Sequence, residues 1–419
     1  MRIVDIRECT IPLKSDMRNS SFDFSEMTTS VVAVITDVVS DGKPVIGFAF
    51  NSTGRYACGA AMRARFIPRI LAADPRSLLD EAQENFDPGK ILAVMMQREK
   101  SGGHSERSIA IGTIEVAVWD AVAKIAAKPL HRVLAERYNG GKSATEVFCY
   151  VGGGWYAPGQ TVKDLQDEMR RHLDAGYTMV KMKVGGLPLA EDVRRVEAVK
   201  TILPADAQLA VDANSKFGRE EALAYAKALA PFRLRWFEEP CDPLDFALLA
   251  EIAGDYESPL ATGENLFSTQ DVENLVRFGG LRPDRNDVIQ VDPPQAYGIV
   301  QYARTVAMAE RHGRAARCSP TAAIRCRSPL PAVSVSAARN PIPAYSAPSA
   351  ASPMTPNCSA AISRCPTVRA SASRAKQRST PSCARWRRDQ QPLREKGGRT
   401  LSASPRARFS GISGDMTRI

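Results

Sequence analysis

Short apolar runs recur along the middle of the chain, and each ends in an ionisable residue. The runs end at Lys183, Asp212, Glu238, Glu264 and Asp292, so the steps between them are 29, 26, 26 and 28 residues. Segments with helical spacing separate the runs, and a regular strand-then-helix period of this length is typical of repeated βα units. Because the carboxyl ends of the strands of a (β/α)₈ barrel converge on one mouth, these five residues are predicted to face a common site.

The N-terminal part of the chain has a different pattern. Alternating apolar and polar positions predict three strands, at residues 2–7, 30–36 and 44–50. The Asp41-Gly42 pair between the last two strands favours a hairpin turn. Helical spacing then predicts three helices, at residues 60–73, 76–84 and 106–127. An antiparallel sheet followed by helices indicates a separate α+β domain.

The predicted fold class is therefore α/β: a modified (β/α) barrel with an N-terminal α+β capping domain. We assign residues 1–140 to the capping domain and residues 141–313 to barrel units one to six, two units short of a closed barrel. After Gly313 the periodic pattern stops. Residues 314–419 contain 17 Ser and 12 Pro, a composition that cannot bury enough apolar area to offset the entropy of ordering the chain. We expect the last barrel strands to be disrupted and this aberrant tail to be disordered.

Charge also divides the chain at Gly313. Residues 1–313 carry 37 Lys and Arg against 43 Asp and Glu, whereas residues 314–419 carry 19 against 3. The basic balance of the whole chain therefore says nothing about the partners of the main domain. No run of about 18 apolar residues occurs, and the first residues do not show a charged-then-apolar pattern. The nine cysteines lack metal-ligand spacing. We expect a cytoplasmic protein with reduced thiols and no membrane partner.

Three carboxylates, on Asp212, Glu238 and Glu264, stand at neighbouring strand ends. Each alone could be a solvated strand-end residue. Together they would repel one another unless a cation neutralised them, and hard oxygen ligands suit Mg²⁺. Lys181 and Lys183 point the same way from one strand, because side chains alternate. A solvated Lys-x-Lys is the alternative. A neighbouring ammonium group and a divalent cation each destabilise the charged form of a lysine, so Lys183 could reach a pKa suited to a general base.

The chain resembles the mandelate racemase group of the enolase superfamily. Five motifs carry the resemblance: Lys181-Met-Lys183, Val211-Asp-Ala-Asn214, Trp236-Phe-Glu-Glu-Pro240, Thr262-Gly-Glu264 and Gln290-Val-Asp292. Residues 117–130 resemble the N-terminal domain signature of that group, and the resemblance covers about residues 1–313. Within the group the chain is most similar to the D-tartrate dehydratases, through Met17-Arg-Asn19 and residues 50–56, 99–106 and 261–267.

This resemblance implies an acid-sugar dehydratase that converts D-tartrate to oxaloacetate, with Mg²⁺ on the three carboxylates. Lys183 would remove the proton α to the substrate carboxylate, giving a metal-bound enediolate, and Lys181 would stabilise that carboxylate. Four residues would contact the substrate: Asn19, Lys100, Tyr156 and Asn214. The alternatives are dehydration of another acid sugar, or racemisation by an enzyme of the same group. The expected partner is a small acid-sugar molecule, and we expect a homo-oligomer.

The family resemblance also implies a seventh-strand histidine that is paired with Asp292 and protonates the departing hydroxyl group. No histidine follows His312 in the sequence, and His312 itself stands at the end of the sixth predicted barrel helix. Asp292 could orient such a histidine if one were present. Otherwise it could simply cap the turn that follows its strand.

The codons of residues 321–326, read one base earlier, can encode His-Gly-Gly-His-Gln-Met, the segment that the family places near residue 320. Those of residues 333–338 can likewise encode Gly-Leu-Gly-Leu-Gly-Gly. We therefore hypothesise a reading-frame shift between about Gly313 and Cys318, and a clean in-frame read of the tail on resequencing would contradict it. The alternative is a non-catalytic remnant whose basic tail binds a polyanion. The tail lacks RGG repeats and aromatic interleaving, so nucleic acid is not the partner we expect.

Overall fold

A computed structural model describes residues 1–13, 15–51, 56, 58–143, 148–313, 317–319 and 324–325, with backbone alone at 148–149, 317–319 and 324–325. Within these residues a three-stranded antiparallel sheet with helices is followed by a seven-stranded parallel sheet whose strands alternate with helices. The predicted fold class, a barrel-type α/β fold with an N-terminal α+β cap, is confirmed. No helix in this part of the chain is long and apolar enough to cross a membrane.

The cap begins with three strands, β1 (Ile3–Pro12), β2 (Thr28–Ser40) and β3 (Lys43–Phe50). β2 pairs antiparallel with both of its neighbours. The predicted hairpin turn is confirmed, since Asp41 and Gly42 adopt left-handed φ values of 51° and 72°. Gly47 on β3 lets the sheet approach a helix closely, because a Cβ there would collide with the carbonyl oxygen of Ala117.

The described residues of the cap also form five helices: α1 (Gly59–Ala61), α2 (Ile67–Ala72), α3 (Pro88–Met95), α4 (Glu106–Ile125) and α5 (Leu130–Tyr138). A π-helical turn, Met62–Phe66, joins α1 to α2, and a 3-10 turn, Phe24–Glu26, precedes β2. The predicted helices at 60–73 and 106–127 are thereby confirmed.

The predicted helix at residues 76–84 is wrong. Only a 3-10 turn, Pro75–Leu78, forms there, because Leu79 pairs with Phe86 and closes the intervening residues into a loop. The helix that follows, α3, was missed, although Asp87 caps its first turn by accepting the backbone N–H of Lys90 and a proline comes next. That combination is a recognised helix start.

A two-residue strand, β4 (Phe148–Cys149), precedes seven parallel strands: β5 (Val151–Gly153), β6 (Met179–Lys183), β7 (Gln208–Asp212), β8 (Phe237–Glu238), β9 (Leu260–Thr262), β10 (Val288–Gln290) and β11 (Arg317–Ser319). The intervening helices are α6 (Val162–Asp174), α7 (Leu189–Lys200), α8 (Arg219–Leu229), α9 (Phe246–Asp255), α10 (Thr269–Phe278) and α11 (Ile299–Arg311). A 3-10 turn, Ala230–Phe232, follows α8. The strands are neighbours in chain order from β5 to β11, as the period predicts.

β11 stands where the sequence pattern was expected to end. It pairs in parallel with β10, with Ser319 opposite Gln290. The expected disruption is therefore wrong for this strand, because the backbone groups at the edge of β10 can pair with any extended segment, whatever its side-chain pattern. Ile324–Arg325 form β12, which pairs antiparallel with β4. The expected disorder of the tail and the frame-shifted segment at 321–326 lie mostly outside the described residues and stay predictions.

Side chains from successive strands fill the barrel interior below the strand ends: Tyr150, Met179, Ala210, Trp236, Ala261 and Val288. The rings of Tyr150 and Trp236 meet edge to face with centroids 5.2 Å apart, although Tyr150 precedes β5 and Trp236 precedes β8. A flat sheet would keep these residues far apart, so the strands curl around this interior layer.

Helix α4 joins the cap to the barrel. The carboxylate of Glu115 is fully buried and accepts the backbone N–H groups of Ile299 at 2.8 Å and Val300 at 2.9 Å, at the start of α11. Burial raises the pKa of Glu115 to about 7. Gly112 permits this close approach, because a Cβ there would collide with the Pro294 carbonyl oxygen. A carboxylate on α4, in the N-terminal domain, therefore accepts the free N–H groups at the start of barrel helix α11.

Candidate active site

β6 carries two lysines into the barrel interior. Lys181 and Lys183 lie on the same face of the strand and are only 4% and 6% exposed, whereas Met182 packs into the core on the opposite face. The alternation of side chains along a strand predicts this shared direction. Two buried ammonium groups need anionic partners, and the neighbouring strands supply them.

Asp212 ends β7 and Glu238 ends β8, and both bind the lysines. Lys183 Nζ lies 2.6 Å from Asp212 Oδ2. Lys181 Nζ lies 3.0 Å from that same oxygen and 2.6 Å from Glu238 Oε1. The strand register explains the arrangement, since Asp212 stands directly opposite Lys183 on one side and Glu238 on the other. The structure thus brings four of the predicted site residues into one buried cluster.

Burial and the ion pairs shift the pKa of these groups in different directions. Burial alone would raise the pKa of Asp212, but Lys181 and Lys183 hold it well below its usual range. Burial alone would lower the pKa of Lys181, but the charges of Asp212 and Glu238 hold it well above its usual value. Burial, together with the charge of Asp212, raises the pKa of Glu238 to about 7. Burial therefore favours the protonated form of Glu238, whereas the two lysines favour the ionised form of Asp212.

Two residues that the sequence reasoning missed orient the Glu238 carboxylate. The Trp236 indole N–H donates to Glu238 Oε2 at 2.7 Å, and the Gln290 side-chain amide donates to the same oxygen at 3.2 Å. Each stands two residues before a predicted site residue: Trp236 precedes β8, which ends at Glu238, and Gln290 ends β10, which Asp292 follows. That period of two was the signal that could have identified them.

Glu239 adds a further buried carboxylate that the sequence reasoning missed. It is 1% exposed and adopts a left-handed φ of 42°. Asn265 donates to Glu239 Oε1 at 2.6 Å, whereas Oε2 has no hydrogen-bond partner among the described residues. Burial and the charge of Glu264 raise the pKa of Glu239 well above its usual value. This carboxyl therefore belongs to the same electrostatic cluster.

The other two predicted strand-end carboxylates occupy the same rim. Glu264 follows β9 and is half-buried, and its charge acts on both Glu238 and Glu239. Asp292 follows β10, is 4% exposed and accepts a hydrogen bond from the Gln295 side-chain amide at 2.8 Å. The position of the sixth member of the series, near residue 320, lies outside the described residues.

The donor set suits a divalent cation. Asp212, Glu238, Glu239 and Glu264 carry four carboxylates against two lysines, an excess that a divalent cation would neutralise. The Asn214 side-chain oxygen is also buried without a hydrogen-bond partner in the described part of the chain, and hard oxygen ligands of this kind suit Mg²⁺. In this structure the ammonium groups of the two lysines provide the positive charge. Among the described residues, no group of three or more His, Cys, Asp or Glu side chains has a geometry that would hold a metal ion.

The loop that bears the predicted substrate contact Asn19 lies against the backbone at Asn214, another predicted contact. Ser20 and Ser21, next to Asn19, donate to the backbone carbonyls of Ala213 and Asn214 at 2.8 Å and 3.3 Å. The side-chain oxygen of Asn19 itself accepts backbone N–H groups of its own loop. The Asn214 backbone N–H donates to Asp212 Oδ1 at 2.9 Å. A cap loop is therefore docked beside the end of β7.

The other two predicted contacts are placed differently. Lys100 is exposed, on a loop held by Arg107, whose guanidinium donates to the Lys100 carbonyl at 2.8 Å and to the Tyr297 hydroxyl at 2.9 Å. The Tyr156 hydroxyl donates to Asp192 Oδ1, on helix α7, at 2.7 Å. The structure therefore brings Asn214 to the cluster but not the Tyr156 hydroxyl.

Comparison with known proteins gives the family. A family model described as Enolase C-terminal domain-like matches residues 164–344, so the similarity reaches beyond Gly313. The L-talarate/galactarate dehydratase of Salmonella typhimurium is 31% identical over 68% of this chain and 67% of its own length. Dehydratases are lyases, and lyase chemistry therefore occurs among the relatives of this chain.

Two solved structures are also similar. A racemase from Streptomyces coelicolor A3(2) with bound magnesium has a TM-score of 0.60 and 29% identity, and covers 74% of this chain and 81% of its own. The L-talarate dehydratase from Polaromonas sp. JS666, complexed with Mg and L-glucarate, has a TM-score of 0.59 and 26% identity, with coverages of 76% and 80%. The chain therefore belongs to the enolase superfamily, in its mandelate racemase and muconate lactonizing enzyme group.

Proposed function

We propose that this chain is a Mg²⁺-dependent acid-sugar dehydratase and that D-tartrate, converted to oxaloacetate, is its substrate. The observation that carries the proposal is the buried cluster in which Lys183 pairs with Asp212, and Lys181 with both Asp212 and Glu238. A buried lysine beside a cation-ready carboxylate set is suited to removing a proton α to a substrate carboxylate. The choice of D-tartrate rests on the sequence motifs of the cap and of residues 261–267.

Asp212, Glu238 and Glu264 would hold the magnesium ion, as the magnesium-bound relatives support. When bound, the ion supplies the positive charge that stabilises the developing negative charge on the substrate carboxylate. The unpartnered oxygens of Glu239 and Asn214 favour the same cation. Trp236 and Gln290 keep Glu238 in its orientation by their hydrogen bonds.

Lys183 would accept the α-proton at Nζ. In this structure Nζ is engaged by Asp212 Oδ2 at 2.6 Å, and binding of the cation by Asp212 would leave Nζ available to the substrate. The pKa of Lys181 is held well above its usual value, because the charges of Asp212 and Glu238 outweigh the effect of burial. A lysine that favours its charged form is suited to holding the substrate carboxylate in place.

The second step of the proposed reaction, loss of the hydroxyl group, has less support from the residues present than removal of the α-proton. No histidine follows His312 in the sequence, and His312 lies at the end of α11, 3.2 Å from Glu273 on α10. Asp292 is engaged by Gln295. Without a general acid at the seventh strand, we expect dehydration to be slower by about 10²–10⁴-fold, the usual contribution of such a group.

A second candidate substrate is a longer acid sugar. The 31% identity to a L-talarate/galactarate dehydratase and the L-glucarate bound in a similar structure favour a six-carbon diacid. Racemisation within the same group also remains compatible with Lys183 as the base, since one of the similar structures is a racemase.

A substrate panel tests the proposal. D-tartrate, galactarate and L-talarate are each incubated with the full chain and Mg²⁺ in D₂O, and α-proton exchange and keto-acid formation are followed by NMR. We expect exchange with D-tartrate and slow oxaloacetate formation. Exchange with the six-carbon diacids alone would move the substrate to the second candidate, and exchange with none, in protein that binds Mg²⁺, would contradict the proposal.

A further inference from the structure

Helix α7 carries a buried ion pair directly behind the strand that bears Lys183. Asp192 and Arg195 lie one turn apart and are 1% and 7% exposed, with Arg195 Nη1 2.9 Å from Asp192 Oδ1. Burying such a pair costs free energy unless further hydrogen bonds satisfy its remaining atoms. Those further bonds lead to the candidate active site.

The guanidinium of Arg195 ties two strand ends together. Its Nη1 donates to the backbone carbonyl of Lys183 at 3.1 Å, and its Nη2 donates to the carbonyl of Gly154, just after β5, at 2.8 Å. The ring of Tyr156 lies 4.2 Å from the centre of the guanidinium. Because the donors of a guanidinium form a rigid planar fork, the position of Arg195 fixes both carbonyls together.

Asp192 holds the chain that follows Lys183. Its Oδ2 accepts the backbone N–H of Gly185 at 2.6 Å, and its Oδ1 accepts the Tyr156 hydroxyl at 2.7 Å. The Tyr156 hydroxyl is also 3.3 Å from the Lys183 carbonyl. Tyr225 donates to Asp192 Oδ2 at 3.0 Å. The backbone is thus held at Lys183 itself and again two residues later.

We propose that Asp192 and Arg195 are positioning residues that fix the backbone of Lys183, and that Tyr156 serves them rather than the substrate. This inference rests on the proposed role of Lys183 as the base. A lysine side chain has four rotatable bonds, so its reach is defined only if its backbone is fixed. With the backbone held, Nζ is confined between Asp212, at 2.6 Å, and the ring of Trp155, whose centroid is 4.7 Å away.

The test uses Arg195→Lys with a matched control. Lysine keeps the positive charge that Asp192 needs, but one ammonium group cannot reproduce the fork that reaches both carbonyls. The control is Arg285→Lys: Arg285 is also 7% exposed, binds a buried aspartate, Asp287, and donates to the Tyr256 carbonyl at 3.0 Å. It lies before β10, at the end of the barrel opposite to the candidate site.

We expect Arg195→Lys to lower the rate of α-proton exchange at saturating D-tartrate by about 10- to 100-fold, because a small misplacement of a base is costly. The KM for D-tartrate and the Kd for Mg²⁺ should stay close to those of the wild type. Arg285→Lys should keep the exchange rate even if it loses as much thermal stability. Equal losses of rate in both variants, or an effect on KM alone, would overturn the proposal.

A second measurement does not depend on turnover. Acetic anhydride labels lysines, and peptide mass spectrometry gives the labelling rate of Lys183 relative to Lys181. In Arg195→Lys this ratio should rise by about threefold or more, because a buried amine gains access to reagent as its backbone support loosens, whereas Arg285→Lys should leave it unchanged. An unchanged ratio in Arg195→Lys overturns the positioning role. A raised ratio in a protein that exchanges no substrate would fault the proposed reaction alone.

Discussion

Lys183 Nζ lies 2.6 Å from Asp212 Oδ2, so the proposed base is paired directly with a proposed metal ligand. The same carboxylate cannot fully serve an ammonium group and a divalent cation at once. Cation binding by Asp212 and the Lys183–Asp212 ion pair are therefore expected to compete.

Lys183→Met should bind Mg²⁺ more tightly than the wild type. The variant removes the ammonium group that competes for Asp212, and we expect a gain of about tenfold in affinity, or about 1.4 kcal/mol. Isothermal titration calorimetry measures it, with Lys163→Met as the control, since Lys163 is an exposed α6 residue paired with Asp167. Weaker binding by Lys183→Met would show that the lysine does not compete with the cation.

Removal of Mg²⁺ should destabilise the protein. A ligand present at 100 times its Kd stabilises the folded state by about 2.7 kcal/mol, so a chelator should lower the Tm measured in excess Mg²⁺. Glu264→Gln should abolish this difference. Glu251→Gln, which alters a half-buried residue paired with Arg219, should preserve it. A magnesium-dependent Tm shift that survives in Glu264→Gln would remove Glu264 from the ligand set.

Glu115 should make stability fall as pH rises from about 4.5 to about 7. Burial raises its folded pKa to about 7 from an ordinary 4.5, so the folded state binds the proton more tightly and is most favoured below that window. Across the window the loss is on the order of 3 kcal/mol. Chemical denaturation at several pH values measures it, and Glu115→Gln should flatten the curve. Parallel curves for the two proteins would contradict this assignment.

Gly112→Ala should destabilise the packing contact between α4 and the barrel. The new Cβ would collide with the Pro294 carbonyl oxygen, and overpacking of this kind costs about 1–3 kcal/mol. Gly254→Ala is the matched control, because a Cβ there meets nothing within 4 Å on helix α9, so alanine should stabilise it slightly. Comparable Tm values for both variants would show that the contact between α4 and the barrel rearranges to accommodate the added methyl group.

Much of the site could be predicted because it follows from local periodicity. The step of 26 to 29 residues placed Lys183, Asp212 and Glu238 at adjacent strand ends, and the period of two placed Lys181 beside Lys183. The same logic did not find Glu239, which reaches the cluster through an unusual left-handed backbone.

The supporting residues could not be predicted, because they depend on packing between distant elements. Asp192 and Arg195 look like ordinary charged positions on an amphipathic helix until α7 is packed behind β6. Tyr156 was predicted as a substrate contact, and only the position of Asp192 shows where its hydroxyl points. β11 was missed because backbone pairing with β10 needs no side-chain pattern.

The central claim is that Lys183 removes an α-proton from an acid sugar in a Mg²⁺-dependent reaction. Proton NMR of D-tartrate in D₂O tests it most directly, with wild type and Lys183→Met measured in Mg²⁺ and in chelator. We expect loss of the α-proton signal only with wild type and Mg²⁺ together. Exchange that persists in Lys183→Met, or that is absent from folded, Mg²⁺-bound wild type, would contradict it.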